Sequence, residues 1–481
     1  MTSVATRRSW PLHLDGHAVA AGDRALIEVV DPATGDVVAD VPVATDADID
    51  RALAAAARVQ PAWAATDAWT RSRIVRDAGR ALAARADEAA EVLCREQGKP
   101  LREARAEVMY AVETFDWYAD EARRLYGRLI PGHRTDARLT VTHEPVGPVA
   151  AFTPWNFPIV TPARKVAAAL AAGCTVILKP AEDTPGAAQF LVDALAEAGL
   201  PAGALNLVTG VPADISRRLI ASDVIRKVSL TGSVPVGQEL MRLCAEGIKV
   251  PTLELGGHAA VLVLDDCDLD LAVAGCVEAK FRNAGQVCVA PSRFYVQDAI
   301  HDEFVERFVA ATRKIRVGHG LDPETDMGPL VSARRRDAVE AHVADAVARG
   351  ATVHCGGERV EGDGFFFAPT VLTGVTTEMS LMVDEPFGPL APILRFGDLE
   401  EGLAAANATE FGLAGYAFTR SLRAADRVSS GLEVGIVGIN TCLTSTVEAP
   451  FGGVKRSGLG LENGVEGIEA YTVAKYTQTV L

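Results

Sequence analysis

Between residues 146 and 246, short apolar runs alternate with helical patterns, and this alternation admits few folds. Residues 149–153, 174–178, 205–208 and 227–230 read as strands. Residues 162–172, 185–198, 217–221 and 237–246 read as the helices that separate and follow them. A strand that is apolar on both sides asks for cover on both faces, and an intervening helix makes neighbouring strands parallel. The expected architecture is an α/β sheet of the nucleotide-binding kind, with ligands at the carboxyl ends of the strands. A second alternating block runs from Leu255 to about Pro450, with strands expected at 260–264, 294–297 and 436–440.

The flanks read differently. Residues 12–30 suggest short strands with a turn at Asp15-Gly16, and Thr45 with Asp48 three positions on is a helix-start signal. Helical patterns then run over 49–126, with breaks expected near Pro61, Thr66 and Gly98-Lys99-Pro100 and a stop at Gly127. Residues 139–144 alternate like an exposed strand ending at Pro145. Residues 470–480, rich in threonine and valine, read as a strand whose partner lies elsewhere in the fold or in another subunit.

A chain of 481 residues exceeds one compact core, so two or three domains are expected. A net charge of −16 disfavours nucleic acid and anionic membranes as partners. No apolar run is long enough for a membrane span, and Met1–Trp10 lacks the apolar stretch of a signal peptide. A cytoplasmic location is expected. The eight cysteines are scattered and form no C-x-x-C pair, so neither a metal site nor a disulfide framework is expected.

Four segments carry chemistry. In Phe281-Arg-Asn-Ala-Gly-Gln-Val-Cys288 a glycine-containing loop lifts Cys288 out of regular structure, as a reactive cysteine needs. A buried cysteine in a turn would read the same. In Leu253-Glu-Leu-Gly-Gly257 an apolar setting would raise Glu254 toward general-base duty, whereas a strand-end glutamate facing water would do nothing. In Thr153-Pro-Trp-Asn-Phe-Pro158 two prolines stiffen the backbone around Trp155 and Asn156, and a rigid amide suits an oxyanion donor. The same loop would equally serve as an aromatic plug. A G-x-G-x-x-G fingerprint is absent. In its place Thr231-Gly232-Ser233 ends a strand, with Gly237 opening a helix, and Lys179 and Glu182 follow another strand. Such positions bind phosphate and sugar, though solvated loop charges would look alike.

Taken together, the chain resembles the aldehyde dehydrogenase superfamily in order and spacing along nearly its whole length. The resemblance rests on Pro154-Trp-Asn-Phe-Pro158, Lys179-Pro180, Thr231-Gly-Ser233, Leu253-Glu-Leu-Gly-Gly257, Phe281 to Cys288, Glu385-Pro-Phe-Gly-Pro389 and Pro450-Phe-Gly-Gly-Val-Lys-Arg-Ser-Gly458. It implies an aldehyde dehydrogenase-like α/β fold: a Rossmann-type parallel-sheet cofactor domain, an α/β catalytic domain and a small β oligomerisation element. The implied bounds are 1–123 with 146–254, then 255–449, then 124–145 with 450–481, and the implied state is a homodimer or homotetramer. It also implies Cys288 as nucleophile, Glu254 as base and Asn156 as oxyanion donor. Trp155, Lys179, Glu182, Thr231, Gly232, Ser233, Glu385 and Phe387 are implied at the cofactor. A carboxylate at Glu182 suits a ribose diol and repels a 2′-phosphate, so NAD is expected, with NADP possible.

The nearest resemblance is to succinate-semialdehyde dehydrogenases, carried by residues 162–185. Arg164, Arg282 and Ser445 match that group's clamp for a substrate carboxylate. Surface pairing of the arginines is the alternative. Ala290 stands where some members carry a second cysteine as a redox switch, so that switch is not expected. Thr444 and Thr446 leave chain length open, so a longer semialdehyde or an uncharged aldehyde stays in view. A cofactor-free cysteine hydrolase would need a histidine partner for the thiol. Glu254 disfavours a CoA-acylating enzyme, and the intact Cys288, Glu254 and Asn156 disfavour a catalytically dead relative.

Overall fold

The structure is a computed structural model and describes residues 7–481. The first six positions of the Met1–Trp10 stretch lie outside the described residues. Two sheets organise the chain. The first has eight strands and is built around five parallel ones, in the order Val250–Glu254, Lys227–Thr231, Val149–Phe152, Val176–Lys179, Leu205–Leu207. Those strands are almost wholly buried. The chain starts the parallel set at Val149–Phe152, grows one way to Leu205–Leu207, where the early strands Leu12–Leu14 and His17–Val19 extend the edge, and returns to the other side with Lys227–Thr231. The carboxyl ends of Val149–Phe152 and Lys227–Thr231 thus form a topological switch point, where α/β sheets open a crevice.

The second sheet has seven strands, parallel except at its Thr352–Cys355 edge. It includes Thr370–Thr373, Leu390–Phe396 and Ala414–Phe418, which the sequence pattern did not single out. A third sheet is a three-stranded ribbon in which Thr472–Val480 pairs antiparallel with Ala137–Pro145 of the same chain. The stretch after Pro450 does not act as one unit. Gly458–Leu459 adds an antiparallel edge to the first sheet, whereas Thr472–Val480 belongs to the ribbon. Among the described residues no helix is long and apolar enough to cross a membrane.

Several boundaries differ from expectation for physical reasons. Thr45 closes a capping box with Asp48, and the helix Asp46–Ala65 continues through Pro61. Pro61 is exposed, as is Ala57 four residues before it, so the carbonyl that proline deprives of a donor faces water. The helix Leu101–Glu121 stops before Gly127. That glycine is needed by the ribbon instead, because a Cβ there would collide with the Val141 carbonyl. The helix expected to open at Gly237 opens at Val234, with a proline in its first turn, where no N–H is required.

Candidate active site

The carboxyl ends of the first sheet deliver the site. Asn156 follows Val149–Phe152, Thr231 ends Lys227–Thr231, and Glu254 ends Val250–Glu254. A cavity of about 240 Å³ opens there, lined by Asn156, Arg164, Glu254, Arg282, Cys288 and Ser445 among others. The residues expected to do the chemistry and those expected to hold a carboxylate therefore share one chamber. Cys288 is the one cysteine among its lining residues.

Backbone strain shapes the loop that carries Cys288. Asn283, Ala284 and Gly285 are consecutive left-handed residues, with φ of 51°, 53° and 73°. For a residue with a Cβ this costs roughly 1–2 kcal/mol, so the surroundings must hold it. The Asn283 N–H donates to Glu103 at 2.9 Å, and the Asn283 side-chain amide donates to the Asn156 carbonyl at 3.1 Å. The Gln286 side chain donates to the Asn283 carbonyl at 3.0 Å and accepts from the Val331 N–H at 2.9 Å. Gly257 allows the loop to pass, since a Cβ there would lie 2.5 Å from the Cys288 carbonyl oxygen.

The Asn156 amide donates one hydrogen to the Gln286 carbonyl at 3.1 Å, which fixes its plane and leaves the second for the cavity. Lys99, fully enclosed, donates to the Asn156 carbonyl at 2.7 Å and to Glu107 at 2.6 Å. Glu107 in turn accepts the Ile159 and Val160 N–H groups that open the helix Val160–Ala172. Lys99, Glu103 and Glu107 thus brace the segments of Asn156, Cys288 and Arg164 at once. Sequence reading missed them. The spacing of Glu103, Glu107 and Tyr110 on one helix face, beside buried Ala104, Val108 and Ala111, was the available signal.

Burial pushes the Glu254 carboxyl up to about 7, with Glu462 adding and Lys165 and Arg164 opposing. Its Oε1 is buried without a partner. Burial also pushes the Cys288 thiol well above its ordinary value, and the nearby Glu254 and Glu385 add to the shift. The Cys288 thiol thus faces a carboxyl that burial has made more basic than usual. The Lys165 ammonium pairs with Glu462 and donates to Thr231 Oγ1 at 2.8 Å. Thr231 thus lies at the cavity wall, tied to Lys165.

At the crevice, Ser233 caps the helix Val234–Glu246 without a side-chain bond, leaving exposed N–H groups suited to phosphate. Lys179 and Glu182 pair at 2.6 Å at the end of Val176–Lys179. Glu385 accepts the Gly257 N–H at 3.0 Å. Trp155 and Phe387 pack edge to face with centroids 5.5 Å apart. An open helix start, a carboxylate–ammonium pair and a second carboxylate flanked by aromatic rings form a donor and acceptor set that fits a dinucleotide. Of the histidines, His258 bonds Ser292 and the Met382 carbonyl, and none lines the cavity. The thiol–histidine pair of a cysteine hydrolase is not present there.

The aldehyde dehydrogenase family profile matches residues 19–477. The chain belongs to the aldehyde dehydrogenase family. It is similar to the glutarate-semialdehyde dehydrogenase of Pseudomonas putida, with 46% identity over 464 residues, 96% of each chain. It is equally similar to the NADP(+) succinate-semialdehyde dehydrogenase of Escherichia coli, with 46% identity over 463 residues and 96% of each chain. A solved betaine aldehyde dehydrogenase of Staphylococcus aureus in complex with NAD+ superposes with a TM-score of 0.95 at 33% identity, covering 98% of this chain and 95% of that one. The enzyme is an NAD(P)-dependent oxidoreductase that converts an aldehyde to a carboxylic acid.

Proposed function

We propose that the substrate is an aldehyde with a remote carboxylate, succinate or glutarate semialdehyde, and that NAD is the preferred cofactor. One observation carries the first half. Arg164 and Arg282 line the chamber that holds Cys288 and Glu254, and each has a buried Nε with no protein partner. Such unpaired guanidinium donors are costly unless an anion completes them. Arg164 is held by cation–π packing on Phe451 at 4.4 Å and by bonds to Tyr110 and Ser445, while Arg282 lies over Phe157 at 5.8 Å. The relatives named for semialdehydes point the same way.

In the proposed reaction Cys288 Sγ attacks the aldehyde carbon as its proton leaves toward Glu254. The free Asn156 hydrogen and the Cys288 backbone N–H receive the oxyanion. A nicotinamide held beside Cys288 would supply the hydride acceptor, and the substrate carbon stays bonded to Cys288 as a thioester. Once Glu254 has released the thiol proton to solvent, it takes a proton from water, the water oxygen attacks the thioester carbon, and the C–S bond breaks as Glu254 returns that proton to Cys288 and the acid leaves. Ser233 and the helix start behind it would hold the pyrophosphate, Lys179 and Glu182 the adenosine ribose, and Glu385 with Phe387 and Trp155 the nicotinamide end.

NADH formation from succinate semialdehyde, glutarate semialdehyde and butyraldehyde tests the reading. A semialdehyde is expected to exceed butyraldehyde in kcat/KM. Arg164→Ala and Arg282→Ala are each expected to remove about 10²-fold of that preference, the scale of a lost charge-assisted contact. Equal use of butyraldehyde by the wild type would leave an uncharged aldehyde as the substrate. For the cofactor, Glu182→Gln removes the charge opposing a 2′-phosphate and frees Lys179 to meet it. The NADP kcat/KM is expected to rise at least about tenfold and that for NAD to fall. An unchanged ratio would remove Glu182 from cofactor selection.

The ribbon strand Thr472–Val480 is at a sheet edge and mostly exposed. An open edge of nine residues is a template for pairing, and in our reading it extends a sheet of a second copy in a dimer or tetramer.

A further inference from the structure

The phenol of Tyr110 is a hydrogen-bond hub in the wall of the chamber. Arg164 Nη2 approaches it at 3.3 Å, Asn463 Nδ2 at 2.9 Å and Ser445 Oγ at 3.2 Å. Asn463 Nδ2 also donates to the Thr446 carbonyl at 2.9 Å, a group that can only accept, which fixes the orientation of the Asn463 amide. Two N–H donors therefore already point at the phenol oxygen. Its two accepting positions are taken, so its own hydrogen goes to Ser445 Oγ. Ser445 Oγ also accepts from Arg164 Nη2 at 2.9 Å. Both of its lone pairs are then occupied, and its hydrogen is left to point into the chamber.

The hub is held at a conformational cost. Asn463 is fully buried, with φ 56° and ψ −178°, a backbone region that residues with a Cβ rarely adopt. Both hydrogens of its side-chain amide are used, one on the Tyr110 phenol and one on the loop that carries Ser445. The next residue, Gly464, donates its N–H to the Val447 carbonyl at 2.9 Å and ties the same loop a second time. Strain compensated by these bonds marks Asn463 as a part of the site rather than a passive turn.

We infer that Tyr110 and Asn463 are specificity-determining positioning residues, which lock the Ser445 hydroxyl as a donor so that this wall of the chamber presents donors only. With Ser445 locked, the lining groups that a substrate terminus meets there are its O–H and the Arg164 and Arg282 guanidinium groups. A carboxylate, which only accepts, satisfies such a wall. A primary amide or hydroxyl of the same shape brings hydrogens with no acceptor to meet, and a buried unpaired donor is heavily penalised. The inference rests on the anion-site reading above, and adds to it the means by which a neutral isostere is rejected.

The test compares succinate semialdehyde with 4-oxobutanamide, its neutral amide, in wild type, Tyr110→Phe and Asn463→Gly. Phenylalanine keeps the ring that packs against Arg164, with 5.4 Å from centroid to guanidinium carbon, and removes only the O–H. Glycine suits the backbone at position 463, so this second variant relieves strain while it deletes the donor. In Tyr110→Phe one lone pair of Ser445 is released, so its hydroxyl can accept as well as donate. The KM for the semialdehyde is expected to rise about tenfold with kcat nearly unchanged, while kcat/KM for the amide rises severalfold. Asn463→Gly should move both substrates in the same directions by less. The gain with the amide is what loosened packing would not produce. Equal losses with both substrates, or an unchanged ratio in both variants while the wild type still prefers the semialdehyde, would overturn the hub and leave the anion site standing. A wild type with no preference for the semialdehyde over the amide would overturn both.

Discussion

Cys288→Ala is expected to abolish NADH formation, by about 10⁴-fold or more, while cofactor binding stays near that of the wild type. The size of the loss follows from the proposed chemistry. Without Sγ there is no covalent intermediate, and the enzyme retains only its positioning and oxyanion groups, so the fall should match the scale seen when a covalent nucleophile is removed. None of the other seven cysteines lines the cavity, so none can substitute. Five of those seven, Cys94, Cys174, Cys244, Cys276 and Cys442, are buried. Retention of binding is expected because the change removes only Sγ and leaves Lys179, Glu182, Ser233 and Glu385 in place. Titration of the variant with NAD, followed by tryptophan fluorescence or calorimetry, checks that half. Turnover near wild type in the variant would remove Cys288 from the mechanism altogether.

Why some of this site could be read from the sequence, and some not, follows from how each group is held. Cys288, Glu254 and Asn156 lie at strand ends or in loops with glycine or proline beside them, and local backbone chemistry marks such places. Their braces lie far away in sequence. Glu103 holds the Asn283 N–H across 180 positions, and Tyr110 meets Ser445 across 335. Both glutamates and Tyr110 sit on a helix that reads as an ordinary amphipathic one, so only their place on its buried face distinguishes them. Asn463 gave no local signal either, because its strain exists only once the tail returns to the cavity. In the fold, the parallel sheet was legible because its strands are short, apolar and separated by helices. Thr370–Thr373 and Leu390–Phe396 were not, because the helix between them, Ser380–Val383, is a single turn and too short to show a helical period. The proline at 61 misled for a similar reason, since whether its missing N–H matters depends on which side of the helix faces water.

Glu254→Gln should separate the two halves of the reaction. Glutamine keeps the shape but cannot take a proton from water. The thioester is then expected to accumulate, giving a burst of about one NADH per active site followed by steady turnover slowed about 10²–10⁴-fold. The pH dependence supplies a second reading. Burial holds the wild-type carboxyl at about 7, so below that pH the base is increasingly protonated and idle. Steady turnover limited by thioester hydrolysis should rise about tenfold per pH unit up to that point and level off above it. This limb should vanish in Glu254→Gln, whose residual hydrolysis has no such group to ionise. Rapid-mixing absorbance at several pH values measures both. Because Glu254 also faces the Cys288 thiol, the burst decides which proton it handles. A full burst with slow turnover assigns it to the water. A variant with neither burst nor turnover would show that the carboxylate is needed first to deprotonate Cys288, and unchanged steady turnover would show that some other group activates the water.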